Sequence, residues 1–130
     1  MYYKDSIHYL NSGSEAVDTA IKIARKHTGK TNIIAMNKGF HGRTIGAMSL
    51  GSSSLSYKQG SQPLLPGTYF SPYTTKEAID LILMHQSSPD DTAAIIIEPV
   101  QGEGGIYSLS SEFIGYLREI CDAYNIMLIA

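Results

Sequence analysis

Thr92-Ala-Ala-Ile-Ile-Ile97 is the stretch on which the fold turns. It carries no charge, and Ser88-Pro-Asp-Asp91 marks a turn just before it. An unbroken apolar run of this length, rich in branched side chains, reads as a central strand of a parallel sheet, covered on both faces. Ile126-Met-Leu-Ile-Ala130 and Thr31-Asn-Ile-Ile-Ala-Met36 read the same way. Ile7-His-Tyr-Leu10 and Thr68-Tyr-Phe70 are shorter strand candidates, the latter closed by Pro72.

Between these runs the apolar spacing becomes helical. Residues 14–28 place Ala16, Val17, Ala20, Ile21 and Ala24 on one stripe, with acids early and bases late, and Gly29 is a stop. Residues 75–87 turn Ala78, Ile79, Ile82 and Leu83 inward, and residues 110–124 form a last helix holding Cys121 as core packing. A short helix is expected from Thr44 to Leu50, and the Ser-, Gly- and Pro-rich segment 51–66 reads as loop. Strands alternating with helices predict an α/β fold, a mostly parallel sheet with helices on both faces, in a single domain.

Composition narrows the function classes. The chain has 130 residues, 43% of them hydrophobic and 17% charged, and a net charge of −2. Acids and bases are interspersed, so no nucleic-acid footprint is expected. No apolar run approaches a membrane span, and Met1 to Ser6 lacks the apolar core of a secretory signal, which leaves cytoplasm or mitochondrion open. His8, His27, His41, His85 and Cys121 show no metal-ligand spacing. Neither a G-x-S-x-G elbow, a Walker A loop nor a G-x-G-x-x-G follows any strand.

Three segments carry chemistry. In Asn11-Ser-Gly-Ser-Glu-Ala16, Ser12 and Glu15 have capping-box spacing, so a helix should begin there with its first amides free to meet an anion. Gly13 permits close approach of a ligand and Ser14 adds a hydroxyl. In Gly39-Phe-His-Gly-Arg-Thr44, Phe40 stands beside small residues, where its ring can either press flat on a planar heterocycle or cover the end of the sheet as a core residue. Two readings stand for His41, a place beside a ligand or a hydrogen bond to backbone. Arg43 reads either as a partner of phosphate or carboxylate, or as one half of a structural ion pair. In Glu98-Pro-Val-Gln-Gly-Glu-Gly-Gly105, Glu98 ends an apolar strand and needs a partner, commonly an arginine. Gln101 and Glu103 read either as pocket residues or as solvated loop residues, the second reading favoured for Glu103. Each segment follows an expected strand, and ligands of open α/β sheets bind beyond the carboxyl ends of strands, so all three should gather on one rim.

In this order and spacing, the segments resemble the class III (omega) pyridoxal-phosphate-dependent aminotransferases, from about Ile7 to the end of the chain. The resemblance implies a fold type I large domain and pyridoxal 5'-phosphate as cofactor. It implies an amino group moved from an amine or amino acid to a 2-oxo acid, and a homodimer when full length. It implies cofactor-binding roles for Gly13, Ser14, Phe40 and His41, with Phe40 on the pyridine ring, and a substrate-pocket role for Glu98 and Gln101. Glu98 would meet an arginine from a later segment. The segment Gly39 to Met48 is most similar to 4-aminobutyrate and acetylornithine aminotransferases.

The family also needs a Schiff-base lysine and an acid on the pyridinium nitrogen. None of Lys4, Lys22, Lys26, Lys30, Lys38, Lys58 and Lys76 stands in the matching motif, and the family's acid falls just after the strand matching Ile126 to Ala130. Residues 1–130 are therefore expected to be a partial large domain, without small domain or catalytic lysine, and inactive alone. The alternative is a non-catalytic truncated module that binds cofactor or another subunit.

Overall fold

The computed structural model describes residues 6–130, so the reading of Met1 to Asp5 lies outside the described residues. Helix α1 spans Gly13–Thr28 and strand β1 Asn32–Met36, followed by α2 (Ile45–Leu50), β2 (Thr68–Ser71), α3 (Lys76–His85) and β3 (Thr92–Ile96). A two-residue hairpin, β4 (Val100–Gln101) and β5 (Tyr107–Ser108), then leads to α4 (Ser111–Tyr124) and β6 (Met127–Ile129). None of the described helices is long and apolar enough to cross a membrane.

The main sheet has the order β2-β1-β3-β6, and every pairing is parallel. Two of the apolar runs, β1 and β3, form its middle, where all five residues of β3 are buried. The third, β6, read as a central strand, lies instead at the edge and is half-buried. Alternate side chains divide between two cores. Ile34, Met36, Ile95 and Ile97 meet Ile79, Ile82, Phe113 and Leu117 of α3 and α4. Ile33, Ala35, Ala94 and Ile96 meet Ile21 and Ala24 of α1 and Leu50 of α2. Helices thus cover both faces, as expected. Cys121 is core, and burial pushes its thiol up to about 11.

The helix boundaries follow local chemistry. Ser12, Thr75 and Ser110 each accept a backbone N–H of the first turn of α1, α3 and α4. Gly29 and Asn125 end α1 and α4 in the left-handed conformation. At that end of the sheet Lys30 Nζ donates to the carbonyls of Pro89, Tyr124 and Asn125 at 2.9, 2.6 and 3.1 Å. It ties the α1–β1 turn to the end of α4, where a cation suits the helix dipole.

One further expectation is corrected and two features are added. Ile7 to Leu10 form no strand; Ile7 is 73% and Tyr9 87% exposed. No strand among the described residues lies beside them to pair with, and an extended segment without a neighbour leaves its backbone N–H and C=O groups without ladder partners. The loop at 51–66 contains a short 3₁₀ turn at Leu55–Tyr57. The β4–β5 hairpin was not expected, because strands of two residues have no periodicity to read.

Candidate functional site

Chain direction changes sides between β1 and β3. After β1 the chain passes through α2 to β2 on one side, and after β3 it passes through α4 to β6 on the other. The carboxyl ends of β1 and β3 therefore flank a topological switch point, the usual place for a ligand in an open α/β sheet. A cavity of about 530 Å³ lies there, a size typical of small-molecule sites. Its walls include Gly13 and Ser14, then Phe40 to Arg43, then Glu98 to Val100. Val17, Ile96, Ile97 and Ile129 add apolar surface. The three segments meet at one cavity although Ile7 to Leu10 form no strand, because α1 turns into β1 within three residues and so runs back along the sheet. Its N-terminus then stands at the carboxyl ends of the strands.

The start of α1 is an open anion cradle. Ser12 Oγ accepts the Glu15 N–H at 3.2 Å, and the Ser12 carbonyl accepts the Ala16 N–H at 3.1 Å. Glu15 reaches back to the Asn11 N–H at 2.8 Å, one residue earlier than a standard capping box. The Gly13 and Ser14 amides have no acceptor among the described residues. Nothing lies within 4 Å of where a Cβ of Gly13 would stand, so a ligand can come up to the backbone. Ser14 Oγ accepts the Arg43 N–H at 3.0 Å. With that lone pair used, its own proton is free to be donated outward.

The Gly39-to-Arg43 loop is tied down on several sides. The Gly39 N–H donates to the Met36 carbonyl at 3.2 Å, and the Gly39 carbonyl accepts Ser52 and Ser53 N–H at 2.8 and 3.1 Å. The half-buried Phe40 ring meets Tyr57 edge-on, with centroids 5.6 Å apart. Arg43 forms no ion pair among the described residues; its guanidinium stacks on the Tyr57 ring, 4.5 Å from the centroid. Tyr57 OH donates to Glu103 at 3.4 Å and Ser53 Oγ donates to it at 2.8 Å, so Glu103 anchors the 51–61 segment instead of only facing water. Sequence reasoning missed Tyr57. A lone aromatic in a Ser- and Gly-rich loop is the only signal it leaves.

Glu98 finds its partners in the backbone. Its Oε1 accepts the Phe40 N–H at 2.8 Å and its Oε2 the Gly102 N–H at 3.2 Å. Gln101 does not reach the cavity. It is buried, donates to the Asn37 carbonyl at 3.0 Å, and faces a neighbouring cleft with Lys38, Tyr73 and Tyr107. The side of the hairpin on which it lies could not be read without the β4–β5 register.

His41 lines the cavity, and its Nε2 is buried with no hydrogen-bond partner among the described residues. Burial pushes the imidazole below its ordinary 6.5, and the nearby Glu98 carboxylate pulls it part of the way back. Such a histidine is folded neutral, while the unfolded chain takes up a proton more readily. Its contribution is complete above about pH 6.5 and is lost as pH falls toward the lowered folded value. His41→Asn should therefore flatten the decline of stability between about pH 7 and 5. Urea unfolding across that range checks this; equal slopes in both proteins would mean that His41 carries no linked proton.

The class-III aminotransferase family model matches residues 1–130. Ornithine aminotransferase 1 of Staphylococcus aureus (strain COL) is 47% identical over 98% of this chain, which covers 33% of that protein. Acetylornithine aminotransferase of Methanopyrus kandleri is 42% identical over 96% of the chain, and 31% of that protein is covered. Among solved structures, an ornithine aminotransferase of Toxoplasma gondii, with partial occupancy of PLP at its active site, superposes with a TM-score of 0.81. It is 31% identical over 92% of this chain and 29% of its own length. The chain thus spans about a third of the length of the curated relatives it matches. Its fold is that of the pyridoxal-phosphate aminotransferases, and the chain belongs to the class-III aminotransferase family.

Proposed function

We propose that this chain builds the phosphate and ring walls in the large domain of a pyridoxal-5'-phosphate-dependent aminotransferase. The enzyme moves an amino group from an amine or amino acid to a 2-oxo acid, as a homodimer. The observation that carries this reading is the meeting of a free helix N-terminus, an aromatic side chain and a carboxylate at one switch-point cavity, in a chain of this family.

The residues present suit the cofactor. The free amides of Gly13 and Ser14, with the Ser14 hydroxyl, would hold its phosphate at the positive end of α1. Phe40 would lie on a face of the pyridine ring, with neutral His41 beside it and Glu98 toward the substrate. Pyridoxal phosphate supplies the electron sink that lets an amino group leave one carbon and be delivered to another. The chain's own part is to grip the phosphate, hold the ring and exclude water with Val17, Ile96 and Ile129. No lysine lines the cavity among the described residues. We assign the reacting lysine, the pyridinium acid and the small domain to polypeptide that this chain does not include. Residues 1–130 alone are then inactive.

Titration of the whole enzyme with pyridoxal phosphate, alongside product formation from an amine and a 2-oxo acid, tests the reading. Ser14→Ala removes a charge-assisted hydrogen bond worth roughly 1.5–3 kcal/mol. Phe40→Ala removes stacking worth roughly 0.5–1.5 kcal/mol. Cofactor affinity should fall in both variants, at least as far in the first. Unchanged affinity in both would take these residues out of the site, and no product with any donor would end the functional reading.

A further inference from the structure

We infer that Glu98 is a positioning residue: its carboxylate, gripped by one backbone amide from each of two loops, sets where the Phe40 ring stands. The consequence for cofactor binding rests on the proposed function, but the latch itself does not. Its oxygens are divided, one taking the Phe40 N–H at 2.8 Å and the other the Gly102 N–H at 3.2 Å. Phe40 lies after β1 and Gly102 in the turn of the β4–β5 hairpin, so one side chain at the end of β3 joins loops 62 residues apart.

The approach leaves no spare room. A Cβ at Gly39 would stand 3.5 Å from Glu98 Oε1, 3.1 Å from His41 Nε2 and 3.0 Å from the Met36 carbonyl oxygen. With the Gly39 peptide already bonded at both its N–H and its carbonyl, the Phe40 N–H is the next donor along the loop, and Glu98 takes it. The ring that follows that amide therefore inherits its position from the carboxylate. A carboxylate suits this task because both of its oxygens only accept. Glutamine keeps the shape but puts an N–H₂ against one of the two N–H groups, so one bond must break. Aspartate keeps the charge but is one methylene too short to meet both.

Hydrogen exchange at the Phe40 and Gly102 amides in Glu98→Gln and Glu98→Asp is the experiment, read with no ligand present. Loss of a hydrogen bond to a charged acceptor should speed exchange at one or both by roughly tenfold or more. Exchange in β3 should stay as in the parent. Unchanged exchange at both amides in both variants would overturn the latch, as would equal acceleration throughout the sheet. Should the glutamine variant fail to fold, the aspartate variant decides alone. A second arm compares pyridoxal phosphate with inorganic phosphate in the whole enzyme. Glu98→Gln should weaken the first several-fold, about as much as lost ring stacking, and leave the second within about twofold, because its donors belong to α1. Parallel loss of both ligands would count against positioning through Phe40. If the parent binds neither ligand, the cofactor reading fails, and the exchange result still decides the latch.

Discussion

Gly42→Ala is expected to cost roughly 3 kcal/mol or more of stability, as backbone strain and overpacking add, and to destroy binding at the cradle. Gly42 has a φ of +131°, which side chains rarely adopt. A Cβ there would stand 2.2 Å from Ser14 Oγ, 2.9 Å from its Cβ and 3.0 Å from its Cα. The last contact is with backbone and cannot be relieved by a rotamer change. Either the start of α1 or the Phe40 loop must move, and each breaks the Arg43-to-Ser14 hydrogen bond. This separates Gly42 from Gly13, where nothing lies within 4 Å of a Cβ. Gly13→Ala would narrow the mouth of the cradle without disturbing the fold. Thermal unfolding and pyridoxal phosphate titration of both variants check the contrast. A Gly42→Ala protein as stable as its parent would mean that Ser14 and the loop are not packed as described.

What could be read in the sequence divides along physical lines. Central strands of parallel sheets are buried on both faces, so β1 and β3 announce themselves as apolar runs, whereas β6, just as apolar, lies at the sheet edge and is half-buried. Helix α1 carries its own start at Ser12 and its own stop at Gly29, both local signals, and both hold. The three site segments gather at one cavity because each adjoins an end of a regular element. Ile7 to Leu10 failed for a non-local reason, since an apolar stretch becomes a strand only where a neighbour offers hydrogen bonds. Tyr57 gives the same lesson in reverse. Its contacts with Phe40, Arg43 and Glu103 join positions far apart in the sequence that only folding brings together. For Glu98 the need for a partner was legible from a charge ending an apolar strand. That backbone amides would meet it was not, because it depends on how closely two glycine-rich loops approach.

Ile95→Ala should cost about 2–5 kcal/mol, a large share of the roughly 5–15 kcal/mol that holds a typical domain folded. Ile95 is fully buried in β3, between Ile34 of β1 and Leu128 of β6 in the parallel register. Its side chain belongs to the core roofed by α3 and α4, with Ile79, Ile82 and Leu117. Shrinking it removes transfer energy and leaves a cavity that the sheet, paired on both sides of β3, cannot easily close. The adjacent Ile96 points to the opposite core and lines the ligand cavity, and Ile97, in the same core as Ile95, lines it beyond the end of β3, but Ile95 itself does not. Ile95→Ala should therefore lower the urea midpoint while leaving ligand affinity of the folded protein as in the parent. A loss below about 1 kcal/mol would mean that the α3–α4 layer is loosely packed on the sheet. Weakened ligand binding at full folding would mean that the two faces of β3 do not work independently, and that the site depends on the core behind it as much as on the loops at its rim.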